Sequence, residues 1–146
     1  MKVITASSDH LQELVPLFDG YRIFYRQASN QDAVKNFLEE RFQKKDSVIF
    51  IALDDEGNGL GFTQLYPSFS SVFMQRVYIL NDLFVSEKAR GQGIGEALIE
   101  YAKQFAREMG SKGLTLETAI DNPAQNLYKR LGWVKDTGVN HYSWEI

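Results

Sequence analysis

Apolar residues in this chain recur first at strand spacing, then at helical spacing, and the two signatures alternate to the end. Lys2-Val-Ile-Thr-Ala6 predicts a short first strand. Ser8 or Asp9 then caps a helix with Leu11, Leu14, Val15 and Phe18 on one side and a kink at Pro16. Gly20 ends that pattern, leaving Tyr21-Arg-Ile-Phe-Tyr-Arg26 as an aromatic connection. Ser29 with Asp32 reads as the capping box of a second, half-buried helix, in which Val34, Phe37, Leu38 and Phe42 repeat at helical spacing as far as Lys44-Lys45-Asp46.

A β-branched and aromatic run, Ser47 to Leu53, is followed by turn chemistry at Asp54-Asp-Glu-Gly-Asn-Gly59 and a second extended run from Leu60 to Tyr66, which together predict a β-hairpin. Pro67 to Ser71 reads as a turn, and Val72 to Val85 as extended chain interrupted around Ser71 to Gln75. From Gly93 a helix carries Ile94, Ala97, Leu98, Tyr101, Ala102, Phe105 and Met109 on one stripe and stops at Gly110. Leu114 to Ala119 is the next strand, so Leu83 to Val85, the helix and this strand make a βαβ unit with parallel strands and a right-handed crossover. Asn122 and Pro123 open a last helix that ends before Gly132, and Trp133-Val134 and His141 to Ile146 read as two final strands. The fold class expected is α/β (α+β): one domain over residues 1–146, with a mixed, mostly antiparallel central sheet containing one parallel pair and flanked by helices.

The chemistry concentrates where the strand ending at Val85 passes through Arg90-Gly91-Gln92-Gly93-Ile94-Gly95 into a helix. Glycines at alternate positions let backbone approach a ligand closely, and the first turn of the helix leaves N–H groups unpaired, which suits a pyrophosphate. A P-loop would need Lys-Ser/Thr after its last glycine, whereas Gly95 is followed by Glu96-Ala97. The dinucleotide fingerprint has a different glycine spacing and opens a much longer array than residues 96–146 can supply. A ligand-free surface turn is the plain alternative for an isolated loop of this kind.

Arg90-Gly-x-Gly-x-Gly after a Val-ending strand and before Ala97-Leu98 resembles the acetyl-CoA loop of the GNAT family of N-acetyltransferases. The resemblance runs from about Asp82 to Trp133, taking in Leu114-Thr-Leu-Glu-Thr-Ala119 and the closing helix Asn122-Pro-Ala-Gln-Asn-Leu-Tyr128-Lys-Arg-Leu-Gly132-Trp133; upstream it extends only to the order of elements. Asn81-Asp82-Leu-Phe-Val and the His141-Tyr142 ending are most similar to histone, polyamine and aminoglycoside acetyltransferases of that family. The resemblance implies the GNAT fold and acetyl-CoA as co-substrate, its pyrophosphate on main-chain amides of residues 90 to 95, with Arg90, Gly91, Gln92, Gly93, Ile94 and Gly95 as the contact positions. It also implies that the pantetheine arm runs along Leu83, Phe84 and Val85, between two splayed parallel strands. An amide near Val85 then holds the acetyl oxygen as it becomes an oxyanion.

An acceptor ammonium of pKa about 10.4 must lose a proton before it can attack. Glu117 corresponds to the position where some family members carry a catalytic carboxylate, acting directly or through water; Asp82 is the second candidate. Plain structural roles for both are a strand glutamate held by a cation and a strand-edge cap. Tyr128 matches the family tyrosine that returns a proton to the leaving thiolate, with a core tyrosine as its structural reading. Asn122 resembles a cofactor-contacting asparagine but stands one position closer to Tyr128 than is usual in the family, which leaves Asp121 or Asn126 as alternatives and a simple helix cap as its structural role. Tyr21, Phe24, Tyr25, Tyr66, Phe69, Phe73 and Tyr78 fall in segments that wall the acceptor site in such enzymes, though most aromatics are core residues.

Composition narrows the rest. The chain has 146 residues, 44% of them hydrophobic, enough for one real core. It has no cysteine, so no disulfide, thiolate metal site or cysteinyl acyl intermediate is possible. Its two histidines show no metal-ligand spacing, and no metal is expected. A net charge of −3 without a dense basic run disfavours nucleic acid. Neither a long apolar run nor a signal peptide is visible, and a soluble, cytoplasmic protein away from membranes is expected. The expected partner is a small-molecule or protein amine, with a homodimer through the strand at 141–146 as a further possibility. Two readings compete with acetyl transfer by direct attack in a ternary complex: a CoA-responsive binding or regulatory module without turnover, and a purely structural interaction domain.

Overall fold

The run Val48-Ile-Phe-Ile-Ala-Leu53 lacks a polar position because both of its faces are covered, and the architecture is arranged around it. In the computed structural model, which describes residues 1–146, it is strand β2 (Val48–Leu53) of a five-stranded sheet. The others are β1 (Lys2–Thr5), β3 (Gly59–Ser70), β4 (Gln75–Val85) and β5 (Leu114–Thr115), in spatial order β1-β2-β3-β4-β5. The first three pairings are antiparallel and β4–β5 is parallel, the mixed topology that the sequence predicts. Helices α1 (Leu11–Phe24) and α2 (Gln31–Lys44) cover one face, where Leu14, Leu17, Phe18, Val34 and Leu38 pack with Ile49, Ile51, Leu53 and Phe62. Helix α3 (Ile94–Glu108) covers the other, setting Ile94, Leu98, Ile99 and Ala102 against Phe50, Ala52, Leu65, Tyr78 and Leu80. Helix α4 (Ala124–Arg130) packs Leu127 and Tyr128 beside the same cluster. Alternation along β2 thus feeds two cores with one segment. No helix is long and apolar enough to cross a membrane.

Several boundaries differ from the sequence reading, each for a local reason. Ser7, rather than Ser8 or Asp9, opens the first helical stretch: its side chain accepts the Asp9 N–H, and the His10 ring accepts the Ser7 N–H. Helix α1 runs through Pro16 and Gly20 to Phe24. Gly20 marks a close approach instead of a stop, because a Cβ there would lie 3.0 Å from Cζ of Phe84. Asn30, not Ser29, caps α2, accepting the Ala33 N–H at 3.1 Å. Ser29 donates instead to Oδ2 of Asp19 at 2.6 Å, and the Asn30 N–H donates to Oδ1 at 2.8 Å, tying α1 to the start of α2.

Strand β3 continues through Pro67, and the turn falls at 71–74. β2 pairs no further than Leu65, so Pro67 sits where β3 has become an edge on that side and a missing N–H is tolerated. Opposite Gln64 and Leu65, β4 carries one extra residue, Asn81, a bulge between Leu80 and Asp82. β5 pairs only with Tyr78 and Ile79; the strand expected over Leu114 to Ala119 stops at Thr115, and Leu83 to Val85 have no partner on that side. A bulge bends and twists its strand, so β4 leaves its parallel neighbour there. With β5 so short, Trp133-Val134 and His141 to Ile146 find no ladder, form no strand, and stay exposed from Val134 onward. A second copy therefore meets no ready-made edge strand at 141–146.

Candidate active site

The divergence of β4 from the chain after β5 opens a cleft of about 260 Å³. One wall is β4 itself, through Leu80, Asn81, Leu83, Phe84 and Val85. The end of α1 adds Tyr21, Phe24 and Tyr25, the segment after β5 adds Glu117 and Thr118, and the α4 region adds Asn122, Pro123, Ala124, Leu127 and Tyr128. Arg90 and Gly95 close one end. Leu83, Val85, Leu127 and Tyr128 reach into the core behind with part of their surface.

The glycine loop stands at that end because Ala89, in a short helical turn Glu87–Ala89, is buried in the core. Gly91 and Gly93 have φ of +74° and +79°, and a Cβ at either would meet nothing within 4 Å. The glycines are therefore set by backbone conformation, and the space in front of them is open. Gly95 differs: its missing Cβ would lie 3.3 Å from Leu127, so it lets α3 and α4 close up. The first bond into α3 is from the Ala97 N–H to the Gly93 carbonyl, and the six consecutive N–H groups of residues 91–96 have no acceptor within the chain. Unpaired donors at the positive end of a fifteen-residue helix fit a diphosphate. Ile94 is 3% exposed and anchors the helix start. The Gln92 amide donates to the Lys88 carbonyl at 3.0 Å. Arg90 Nε donates to the Val85 carbonyl at 3.1 Å, so this guanidinium is held against the cleft strand.

The two candidate carboxylates occupy opposite environments. Asp82 is 3% exposed and lies behind the cleft wall. It accepts from Gln64 Nε2 at 2.5 Å and Asn81 Nδ2 at 3.0 Å. Burial raises its carboxyl above the ordinary range, against the lowering effect of these donors. Burial and the Asp82 charge likewise hold the Tyr21 phenol well above its usual value. Gln64 Nε2 also lies 3.1 Å from the Tyr66 hydroxyl, extending the network, and the Tyr66 phenol is pushed up to about 12, first by burial and then by Asp82. Glu117, by contrast, is on no strand: its side chain is 78% exposed at the rim, with Oε1 3.2 Å from Nδ1 of His141. The buried cation that a structural glutamate would need is not its partner.

Tyr128 is half-buried, with its ring 5.9 Å from that of Trp133, and burial pushes its phenol up to about 12, so it is fully protonated near neutrality. Asn122 lines the cleft, yet its Oδ1 accepts the Ala124 N–H at 2.9 Å, the capping role. No group of three or more His, Cys, Asp or Glu side chains is placed to hold a metal.

Gln64, fully buried, is the polar residue that sequence reasoning passed over. The adjacent Thr63-Gln64 pair inside an apolar strand was its signal; Thr63 Oγ1 donates to the Asp82 carbonyl at 2.8 Å.

Residues 12–133 match the model of the family described as Acetyltransferase (GNAT) family. The uncharacterized N-acetyltransferase YhfO of Bacillus subtilis (strain 168) is 47% identical over 143 residues, 97% of this chain and 95% of its own length. A probable acetyltransferase of Haemophilus influenzae is 38% identical over 90% of this chain and 86% of its own. A crystal structure of a probable acetyltransferase superposes with a TM-score of 0.94 at 43% identity, covering 100% of this chain and 98% of that one.

Proposed function

This chain belongs to the acetyltransferase (GNAT) family, and on that premise we propose that residues 1–146 act as one domain that transfers an acetyl group from acetyl-CoA to a primary amine, by direct attack while both substrates are bound. The observation that carries the reading is the conjunction of six unpaired N–H groups at residues 91–96 with a cleft that begins beside them at Arg90 and Gly95. Gly91 to Glu96 hold the diphosphate, and Arg90 adds a positive charge at the same end. The free edge of β4 at Leu83, Phe84 and Val85 pairs with the pantetheine arm as a strand would. A main-chain N–H near Val85 faces the acetyl oxygen and stabilises the charge that develops there.

Glu117 or Asp82 takes the proton that the ammonium must lose, and Tyr128 supplies one to the departing sulfur. A carboxylate at the rim, a second behind the wall and the aromatic rings of Phe24 and Tyr25 favour a cationic acceptor, whether a small amine or a protein amine. Asn122 orients the start of α4, and so Tyr128, more than it binds ligand.

The test is a mass-spectrometric screen of amines with acetyl-CoA and purified protein. Acetylated product and stoichiometric CoA release are expected for at least one cationic amine. Tight acetyl-CoA binding with no product across the panel would instead favour a CoA-responsive binding module.

A further inference from the structure

The sheet is unfinished on one side: β5 ends the strand order, and its outer edge pairs with nothing. An edge of this kind is a template for a further strand. Beside it lies a groove of about 400 Å³, lined by Ser111 to Leu114 at the start of β5, by Gly132 to Val134 beyond α4 and by the last turns of α3 around Ala106. The charged residues of the groove are all cations, Lys103, Arg107 and Lys112. Lys103 is taken by Glu100 and the Leu131 carbonyl, whereas Arg107 and Lys112 pair with no carboxylate.

The same chain carries a segment with the complementary properties. Residues 134–146 are exposed throughout and make no hydrogen bond between main-chain groups. Within it Tyr142, Trp144 and Ile146 alternate with His141, Ser143 and Glu145, the two-residue period of a strand with one apolar and one polar face. Tyr142 and Trp144 are 87% and 84% exposed, a clustering of bare rings that marks an interaction surface. Glu145 is the one carboxylate side chain of residues 137–146, a charge that suits the cationic groove. The segment does not fill its own groove. Val134 lines it, but the chain then leaves, and the single polar side-chain contact of residues 139–146 is His141 Nδ1 with Glu117 Oε1, 3.2 Å away at the cleft rim.

We propose that residues 139–146 are an exchange arm: the arm of one copy enters the groove of a second copy as an added strand on β5, and the second copy's arm is received in return, giving a two-fold dimer. Two 141–146 strands do not meet edge to edge in this arrangement; the edge is β5, and 141–146 is what covers it. Tyr142, Trp144 and Ile146 then face Ala106 and Leu114 of the receiving copy, with His141, Ser143 and Glu145 on the opposite side. At about 150–250 Å² for each buried aromatic side chain, the two tyrosines and two tryptophans contribute roughly 600–1,000 Å². Ile146 and the main chain of both arms bring the total into the range of a specific interface, about 1,200–2,000 Å². For an arm to enter its own groove, the chain would have to reverse between Val134 and Val139 and lie directly beside Gly132 to Val134. No main-chain bond joins those stretches, although the Asp136 side chain accepts the Gly138 N–H at 2.8 Å within the bend. The exchange is independent of the acetyl-transfer reading.

The test uses the full chain. Sedimentation equilibrium at about 10 μM should give twice the chain mass of 16.7 kDa. Tyr142→Ser combined with Trp144→Ser should raise the dimer dissociation constant about 100-fold or more, with the circular dichroism of the folded body retained because neither ring packs on it. The chain has no cysteine, so introduced thiols report alone. Ser143→Cys protein is mixed in urea with Ser111→Cys protein, refolded and treated with a short bismaleimide. A peptide linking positions 143 and 111 is then necessarily a link between copies, and it is the product expected. A chain carrying both substitutions should likewise give linked dimers. Linked monomers from that chain would show each arm closing on its own groove and would overturn the exchange. An unaltered chain that sediments as a monomer overturns it too, as does a dimer that survives the two serine substitutions undiminished or one in which 143 and 111 are never joined.

Discussion

Replacing Gly93 by aspartate tests where the diphosphate sits, and the structure sets the size of the effect. Gly93 has φ of +79° and a Cβ direction that meets nothing within 4 Å, so a side chain there projects into the space before the unpaired N–H groups. A left-handed conformation costs an ordinary L-residue about 1–2 kcal/mol, less for Asn and Asp. Gly93→Asn therefore carries the same strain and nearly the same volume without the charge. A carboxylate about 5 Å from one phosphate charge repels it by roughly 3 kcal/mol at an effective dielectric near 20. Salt at 0.15 M roughly halves that, and the second phosphate charge roughly restores it. Gly93→Asp should thus bind acetyl-CoA about 30- to 150-fold more weakly than Gly93→Asn, by titration calorimetry at 0.15 M salt. The gap should narrow at 0.5 M salt, where screening reaches within a few ångströms. Equal affinities for the two variants, both near that of the unaltered protein, would place the diphosphate elsewhere and remove the basis of the cleft assignment.

Asp19 links α1 to α2 through two short hydrogen bonds, so Asp19→Asn should lower unfolding free energy by roughly 2–3 kcal/mol in urea denaturation. Its carboxyl is held below the usual value, first by the Ser29 hydroxyl and then by the Asn30 N–H, so the folded state favours the ionised form. That stability is fully present above the unfolded value near 3.9 and is lost as pH falls through the lower folded value. The gap between the two proteins should be flat above about pH 5 and close below about pH 4; a gap that widens with acid contradicts the assignment. Tyr128→Phe should lower kcat about 100-fold while acetyl-CoA affinity is unchanged, and an altered melting temperature with normal kcat would return Tyr128 to a core role. Gly20→Val, with a methyl-bearing Cβ 3.0 Å from Phe84, should cost about 1–3 kcal/mol in stability by the same denaturation assay. It should also depress kcat more than it raises the KM for acetyl-CoA, because it displaces the end of α1, whose Tyr21, Phe24 and Tyr25 line the cleft. Normal turnover in a folded Gly20→Val protein would show that the seating of α1 does not matter.

What the sequence showed clearly was whatever depends on neighbours in the chain. The stripe of Ile94, Leu98 and Ala102 has the period of a helix packed on a sheet, and all three are buried, joined by Ile99 and Ala106, which the expected stripe left out, while Met109 at its end is exposed. Gly91 and Gly93 were legible because a positive φ is written into the residue type. The strands after α3 were not, although their composition suits β structure. A strand is a pairing, and whether Leu116 to Ala119 or His141 to Ile146 pairs depends on the partner's path. That path is set by one extra residue, Asn81, opposite the Gln64–Leu65 step of β3. No local signal at positions 116–119 or 141–146 records a bulge some thirty or more residues upstream.

The same distinction sorts the site. Diphosphate binding by main-chain amides needs a conformation, and a conformation can be encoded in a short glycine pattern. Proton transfer needs side chains gathered around the reacting atoms, and Tyr21, Glu117 and Tyr128 reach one cleft only through the seating of α1 by Gly20 and the course of β4. Gly20 illustrates the difficulty: along the chain it reads as a helix stop, and in three dimensions it is the residue that lets the helix continue over the strand. The bulge turns β4 away from β5 and so opens the cleft. Deleting Asn81 would restore a regular register, and with it a longer β4–β5 ladder in place of the cleft. The cleft is therefore the consequence of one extra residue in β4, and a protein that lost it should lose the cleft while keeping Asp82 opposite Gln64.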